Sequence, residues 1–156
     1  MSARVAIGPR DLLLVIDVQN DFCPGGRHPV PRGHEVVPLI NRLASRFTHV
    51  VLTQDWHPAG HLSFASSHPG RKPYETIEAS YGPQILWPDH CVQETQGARL
   101  HPDLHIGQAQ LLLREELPDK PRKRVETIES LAVRIKEIVA ELRGIQTPIP
   151  AGGREE

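Results

Sequence analysis

The stretch T-Q-D-W-H-P-A-G-H, residues 53–61, gathers one carboxylate and two imidazoles in a short length of chain. Asp55 and His57 are two positions apart, so at an extended strand end their side chains fall on the same face. One carboxylate oxygen and one imidazole nitrogen can then reach the same cation. A third ligand could come from His61, or from His90 in W-P-D-H-C-V. Ligands of this mixed type, with positions left for water, suit Zn²⁺, Mn²⁺ or Fe²⁺.

A competing interpretation of the same stretch involves no metal. Nine histidines are scattered through the chain, and a D-x-H sequence can arise in a loop by chance. Spacing alone does not decide between the two interpretations.

A second carboxylate, Asp17, directly follows the apolar run L-L-L-V-I. A carboxylate at the end of a buried segment needs a partner or a chemical task. The alternative is that Asp17 caps the turn that follows, and Asn20 and Asp21 are interpreted as residues of that turn.

The elements that must position these side chains alternate between strand and helix. Residues 11–17 have the continuous apolar pattern of a strand that is buried on both faces of a parallel sheet. Apolar residues recur at helical spacing over residues 34–47, and residues 48–54 form a second, β-branched strand. This βαβ unit predicts a right-handed crossover, and it places Asp17 and Asp55 at the ligand-binding edge of the sheet.

The remainder of the chain is less regular. Residues 55–107 are rich in proline, glycine and histidine and show no sustained period, which is typical of a functional segment in a compact domain. Residues 109–114 predict a third strand, and residues 125–143 predict an amphipathic helix that stops at Gly144. The predicted organisation is a single α/β domain over residues 1–147, with a helix in 121–144 and a flexible tail at 148–156.

Composition limits the class of protein. The chain has 156 residues, 38% hydrophobic and 24% charged, with a net charge of -1, as expected of one soluble globular domain. This charge does not favour binding to nucleic acid, and no apolar run approaches the roughly 20 residues that span a bilayer. Without a secretory signal we expect a cytoplasmic location, with Cys23 and Cys91 reduced. The oligomeric state stays open, a homo-oligomer included.

Three motifs resemble a known family in content and order. They are L-L-L-V-I-D-V-Q-N-D-F-C-P-G-G, V-V-L-T-Q-D-W-H-P-A-G-H-L-S-F-A and Y-G-P-Q-I-L-W-P-D-H-C-V-Q. Together they resemble nicotinamidases, also called pyrazinamidases, of the isochorismatase-like cysteine hydrolase superfamily. The resemblance covers roughly residues 10–114 and implies a three-layer, Rossmann-like α/β fold with helices flanking a parallel sheet.

The resemblance also implies roles for individual residues. Asp17 matches a catalytic base that takes a proton from a cysteine thiol. The metal ligands would be Asp55, His57 and His90, with His61 as an additional ligand, and the metal Zn²⁺, with Mn²⁺ or Fe²⁺ as alternatives. Phe22 and Trp87 match the aromatic walls of a pyridine pocket. We expect this pocket to exclude His28, His34, His49 and His105.

The implied reaction converts nicotinamide and water to nicotinate and ammonia, a step of NAD salvage, through a thioester. Family members use a lysine on the strand after the W-P-x-H-C motif and a cysteine in a later turn. Here Arg114 or Glu115 stands where the lysine is expected, and the only cysteines are Cys23 and Cys91, neither of which matches the nucleophile. Similarity to the family is lost after about Arg114, which indicates truncation, frame disruption or fusion to an unrelated helix.

Three functions therefore remain open. The first is a nicotinamidase-type amidohydrolase acting on a small-molecule amide. The second is a catalytically inactive remnant or binding module that retains the metal and pyridine site. In the third, a metal-bound water is the nucleophile and Asp17 is its base.

Overall fold

The computed structural model describes residues 6–115. The helix predicted in 121–144 and the tail at 148–156 lie outside the described residues, so the single-domain organisation stays a prediction. Among the described residues, no helix has the length and apolar character needed to cross a membrane.

The main sheet is parallel, as the βαβ pattern predicted. Its strands are β1 (Leu12–Val15), β2 (His49–Asp55) and β5 (Leu111–Glu115), in the order β1-β2-β5. Helix α1 (Val36–Ala44) connects β1 to β2. The third strand predicted from the sequence, residues 109–114, corresponds to β5.

Strand β2 is the centre of this sheet. Its sequence, H-V-V-L-T-Q-D, is rich in the β-branched and apolar residues that favour strands, and all seven residues are buried. Both neighbours pair with it in parallel register, for example Leu14 with Val51 and Leu113 with Thr53. Asp55, the last residue of β2, is therefore positioned by the strand that has a hydrogen-bonded neighbour on both sides.

Helix α1 is shorter than the segment predicted over 34–47. A 3₁₀ helix, Gly33–Glu35, precedes it, and the helix ends at Ala44. Its buried residues, Val37 and Ala44, join a core cluster with Val15 of β1, Val50 and Leu52 of β2, and two loop residues, Val18 and Ile106. The helical period thus identified the correct buried face, although it extended the helix at both ends.

The prediction that β1 is buried on both faces was wrong. Only Val15 of the strand is fully buried, and Ile16, just beyond it, is 62% exposed. Within residues 6–115 the strand pairs on one side alone, with β2, so its outer edge has no neighbouring strand to cover it.

The irregular segment contains a pair of strands that the sequence did not predict. Strands β3 (Thr76–Ala79) and β4 (Gly82–Ile85) form an antiparallel hairpin. The G-P-Q-I sequence of β4 begins with two residues typical of turns, so the sequence pattern did not predict a strand there. Gly82 takes a φ of 108°, a conformation that L side chains rarely adopt.

Candidate metal and ligand site

Asp55, His57 and His90 converge at the carboxyl end of β2. The Nε2 atom of His57 lies 3.0 Å from Asp55 Oδ1, and the Nε2 atom of His90 lies 3.4 Å from Asp55 Oδ2. One ligand atom from each residue lies within 4.8 Å of the others, and all three residues are buried. The structure thus brings together the two residues identified by spacing and His90, one of the two candidates for the third ligand.

The hydrogen bonding of His90 shows how the cluster could hold a cation. Its Nδ1 lies 2.7 Å from the carbonyl oxygen of Pro88, which can only accept, so Nδ1 carries a proton and donates. In the neutral ring, Nε2 is then a lone pair that faces the carboxylate of Asp55. Such opposed acceptors require a proton or a cation between them, and a backbone carbonyl that fixes the tautomer is common behind metal-binding histidines. The donor set therefore fits a divalent transition metal.

A different observation concerns the other ring nitrogen of His57, which does not face Asp55. Among the described residues, its Nδ1 is the only buried side-chain nitrogen or oxygen without a hydrogen-bond partner. A buried polar atom without a partner costs free energy unless another group satisfies it. His57 is thus incompletely satisfied by its protein surroundings.

The charge state of Asp55 suits a metal ligand. Burial raises the pKa of its carboxyl, but hydrogen bonds from His57 and His90 and their positive charges outweigh burial and bring the pKa to about 2. Burial lowers the pKa of His90, and its hydrogen bond to Asp55 reverses this, so that the pKa is raised. At neutral pH Asp55 is an anion, the form that metals bind.

His61 lies beside this cluster. Its ring centroid is 4.7 Å from that of His57, and its Nδ1 is 2.7 Å from the hydroxyl oxygen of Ser63. It is not among the residues whose ligand atoms lie within 4.8 Å of one another. Its role as an additional ligand stays a prediction.

Gln19 positions Asp55 from the neighbouring segment. Its side-chain Oε1 accepts from the backbone N–H of Asp55 at 2.9 Å, and its Nε2 donates to the backbone carbonyls of Asp55 and Ala98 at 2.8 and 2.9 Å. The side chain is fully buried, with 0% exposure. The sequence did not reveal this role because the partners lie 36 and 79 residues away.

Asp17 follows β1 at the same edge of the sheet. The hydroxyl of Thr53 donates to Asp17 Oδ1 at 2.6 Å, and the backbone N–H of Asp17 donates to the same hydroxyl at 3.2 Å. The backbone takes a φ of 49°, which turns the chain away from the strand. Because β1 and β2 are parallel, Asp17, just beyond β1, and Asp55, the last residue of β2, lie at the same carboxyl edge, as predicted.

The environment of Asp17 favours its protonated form. Burial raises the pKa of the carboxyl, the hydrogen bond from Thr53 lowers it, and the charge of Asp55 raises it, with a net increase. A carboxylate whose pKa is raised toward neutrality is a better proton acceptor than an ordinary aspartate. This position therefore suits a general base.

The raised pKa also predicts that Asp17 costs stability. A carboxyl whose folded-state pKa lies above its unfolded value stabilises the fold at low pH and loses that contribution as pH rises through the folded pKa. We expect Asp17→Asn to raise the melting temperature at pH 7, because asparagine tolerates positive φ and can still accept from Thr53. The gain should shrink as pH falls to 4, measured by circular dichroism. A lower melting temperature at pH 7 would contradict this account.

Aromatic side chains line one side of the cluster. The ring of Phe22 lies 5.6 Å from that of His90 between centroids. The ring of His28 contacts both Trp87 and Phe22, with distances between ring centroids of 5.2 Å and 6.1 Å. The expectation that His28 lies outside the site is therefore wrong. Spacing gave no sign of it, because His28 follows a turn that folds back on the strand end.

Asp21 is more than the turn residue that the sequence indicated. Its buried carboxylate accepts from the backbone N–H of Cys91 at 2.7 Å and from that of Arg27 at 3.1 Å. Gly97 packs so closely that a Cβ there would lie 2.1 Å from Asp21 Oδ2. Asp21 thus ties the turn after β1 to the loop that carries His90.

Replacing this carboxylate should weaken the fold measurably. In Asp21→Asn one oxygen remains, and the amide group faces a backbone N–H that has lost its acceptor. We expect the free energy of unfolding to fall by about 1–3 kcal/mol. Urea denaturation measures the change, and Asp103→Asn, at an exposed position, is the matched control that should stay within about 0.5 kcal/mol. Equal effects in both variants would refute the role of Asp21.

The two cysteines are poorly suited to nucleophilic chemistry. Cys23 is 6% exposed and Cys91 is 0% exposed, and burial raises the pKa of both thiols. The charges of Asp55, Asp21 and Asp17 raise the pKa of Cys91 further. A reactive cysteine instead needs an exposed, electropositive environment. Arg114, one of the two residues that could stand at the expected lysine position, stacks on Trp56 with its guanidinium carbon 4.0 Å from the ring centroid.

A parallel sheet with a buried aspartate and histidine cluster at its carboxyl edge defines an α/β protein with a candidate metal-dependent ligand site. The chain belongs to the isochorismatase domain family, whose model matches residues 11–144. The sequence comparison thereby confirms the resemblance that the three motifs indicated.

The similar proteins are nicotinamidases and pyrazinamidases. The nicotinamidase of Acinetobacter baylyi is 53% identical over 103 residues, which is 66% of this chain and 48% of the relative. A nicotinamidase structure from Acinetobacter baumanii superposes with a TM-score of 0.66 at 54% identity, covering 69% of this chain and 52% of the other. A Pyrococcus horikoshii pyrazinamidase, solved in complex with zinc, gives 0.57 at 30% identity, covering 83% and 66%. The chain thus spans about half the length of the first two relatives.

Proposed function

We propose that residues 6–115 form the metal- and ligand-binding part of a nicotinamidase-type amidohydrolase site. The proposed reaction converts nicotinamide, or a related heteroaromatic carboxamide, and water to the acid and ammonia, a step of NAD salvage. One observation carries the proposal: Asp55, His57 and His90 converge beside an aromatic wall, at the sheet edge where Asp17 lies. The proposed binding partner is thus a small molecule, and a cytoplasmic location stays a prediction.

In this proposal the cluster holds one divalent metal, through Asp55, His57 and His90. Zn²⁺ is preferred over Mn²⁺ and Fe²⁺, because the ligands are one oxygen and two nitrogens and a pyrazinamidase of similar fold was solved with zinc. When bound, the metal would supply a Lewis acid that holds the ring nitrogen of the substrate. His61 would approach as an additional ligand, and Phe22 and Trp87 would flank the flat ring.

The proposed task of Asp17 is proton transfer. In a complete amidohydrolase site it would take the proton of the family's nucleophilic cysteine, which neither Cys23 nor Cys91 matches, as the sulfur bonds to the amide carbon. It would return that proton to the leaving ammonia as the C–N bond breaks. Water would then cleave the thioester and release the acid. The raised pKa of Asp17 supports this role.

A second candidate function is binding without hydrolysis. The burial of both Cys23 and Cys91 favours it, because neither thiol has the environment of a nucleophile. Calorimetric titration of Zn²⁺-loaded protein with nicotinamide, run beside an ammonia assay, separates the candidates. Binding with ammonia release supports the amidohydrolase, binding without release supports the binding module, and absence of binding contradicts both.

A further inference from the structure

His28 is held firmly although it lies outside any helix or strand. Its backbone N–H donates to the carbonyl of Asp21 at 3.0 Å, and the N–H of Val30 donates to the carbonyl of Phe22 at 3.0 Å. The carboxylate of Asp21 accepts from Arg27, the preceding residue. Because the backbone is anchored on both sides, the position of the imidazole is set by the fold.

The imidazole lies among residues assigned to the ligand pocket. Its centroid is 5.0 Å from that of His90, 5.2 Å from Trp87 and 6.1 Å from Phe22. Tyr74, which is 64% exposed, packs on its outer side with centroids 6.4 Å apart. His28 therefore contacts the rings of both Phe22 and Trp87 and lies beside a proposed metal ligand.

His28 differs from its neighbours in polarity. Phe22 and Trp87 present apolar faces, whereas a neutral imidazole carries one donor and one acceptor nitrogen. Among residues 6–115 neither side-chain nitrogen of His28 has a hydrogen-bond partner, and its ligand atoms lie outside the cluster of Asp55, His57 and His90. A half-buried donor at a pocket wall is available to a ligand.

We propose that His28 is a specificity-determining residue, whose imidazole donates a hydrogen bond to a ring atom of a bound heteroaromatic carboxamide. This inference rests on the proposed function. A pyridine ring has one nitrogen, which the metal would hold, whereas a diazine ring has a second nitrogen that can accept from His28. The pocket therefore favours diazine carboxamides over pyridine carboxamides, and both over a plain benzene carboxamide.

The test compares pyrazinamide, nicotinamide and benzamide by calorimetric titration of Zn²⁺-loaded protein. His28→Phe keeps a flat ring and removes both nitrogens, so the preference for pyrazinamide over nicotinamide should fall by roughly 2- to 10-fold, the equivalent of one hydrogen bond. His28→Gln, which retains an N–H donor, should preserve part of the preference. His34→Phe, the same exchange at an exposed position, should leave it unchanged. Proton NMR of each mixture verifies that the ligand stays intact, and thermal melts verify folding.

Each outcome decides between the two proposals. If wild-type protein binds none of the three amides, the proposed function fails and this inference fails with it. If wild-type protein binds them without preferring pyrazinamide, or if His28→Phe retains the preference, the proposed function stands and His28 is only an aromatic wall. A loss of preference in His28→Phe with partial retention in His28→Gln supports the hydrogen bond.

Discussion

Zn²⁺-loaded protein should release ammonia from nicotinamide at least about 10³-fold more slowly than the nicotinamidase of Acinetobacter baylyi under the same conditions. We expect this because loss of a nucleophile removes most of the rate enhancement of an enzyme. The reason is the state of the two thiols. Asp17 can act as base only on a thiol within hydrogen-bond reach, and the side-chain hydrogen bond that Asp17 makes is with the hydroxyl of Thr53 and not with a thiol. Cys23 and Cys91 are buried, with their pKa values raised.

The ammonia assay includes controls for each alternative. A Cys23→Ala, Cys91→Ala double variant and iodoacetamide-treated protein are measured beside the unmodified chain. Turnover near that of the relative would overturn the prediction. If such turnover is lost in the double variant, one of the two cysteines is the nucleophile. If it survives both alanine substitution and alkylation, a metal-bound water is the nucleophile, which is the third function that the sequence left open.

Purified protein is expected to bind about one divalent transition metal ion per chain, with Zn²⁺ preferred. In a His57→Ala, His90→Ala double variant the metal content should fall to near zero, because one carboxylate alone does not hold Zn²⁺ against dialysis. Elemental analysis after dialysis measures both values. His34→Ala, His105→Ala removes two exposed histidines and is the matched control, which should retain its metal. Unchanged content in the first variant would refute the assignment of the ligands.

Local patterns in the sequence predicted the parts of the fold that depend on neighbouring residues. The β-branched run of β2 and the helical period of α1 identified the βαβ unit, and parallel strands then required Asp17 and Asp55 to share an edge. The two-residue spacing of Asp55 and His57 predicted a common face. Residue types left His61 and His90 as alternatives for the third ligand, and the resemblance favoured His90, which lies on a loop far along the chain.

The remaining features depend on contacts between distant segments. Gln19, Asp21 and Thr53 act through hydrogen bonds to residues 36 or more positions away, which no local pattern records. His28 was misplaced for the same reason, since the turn that carries it folds back toward Trp87. The β3–β4 hairpin was missed because glycine and proline begin its second strand.

The amide of Gln19 takes the place of a strand neighbour. After β1 ends, a main-chain residue would ordinarily continue the ladder beside Asp55, yet here a side chain satisfies both the N–H and the carbonyl of that residue. The backbone at Asp17 is thereby released from the ladder and can adopt its positive φ. The length of the D-V-Q segment, residues 17–19, is consequently fixed. An inserted or deleted residue would remove the side-chain amide of Gln19 from Asp55, and Asp17 would then continue the strand with an ordinary backbone conformation.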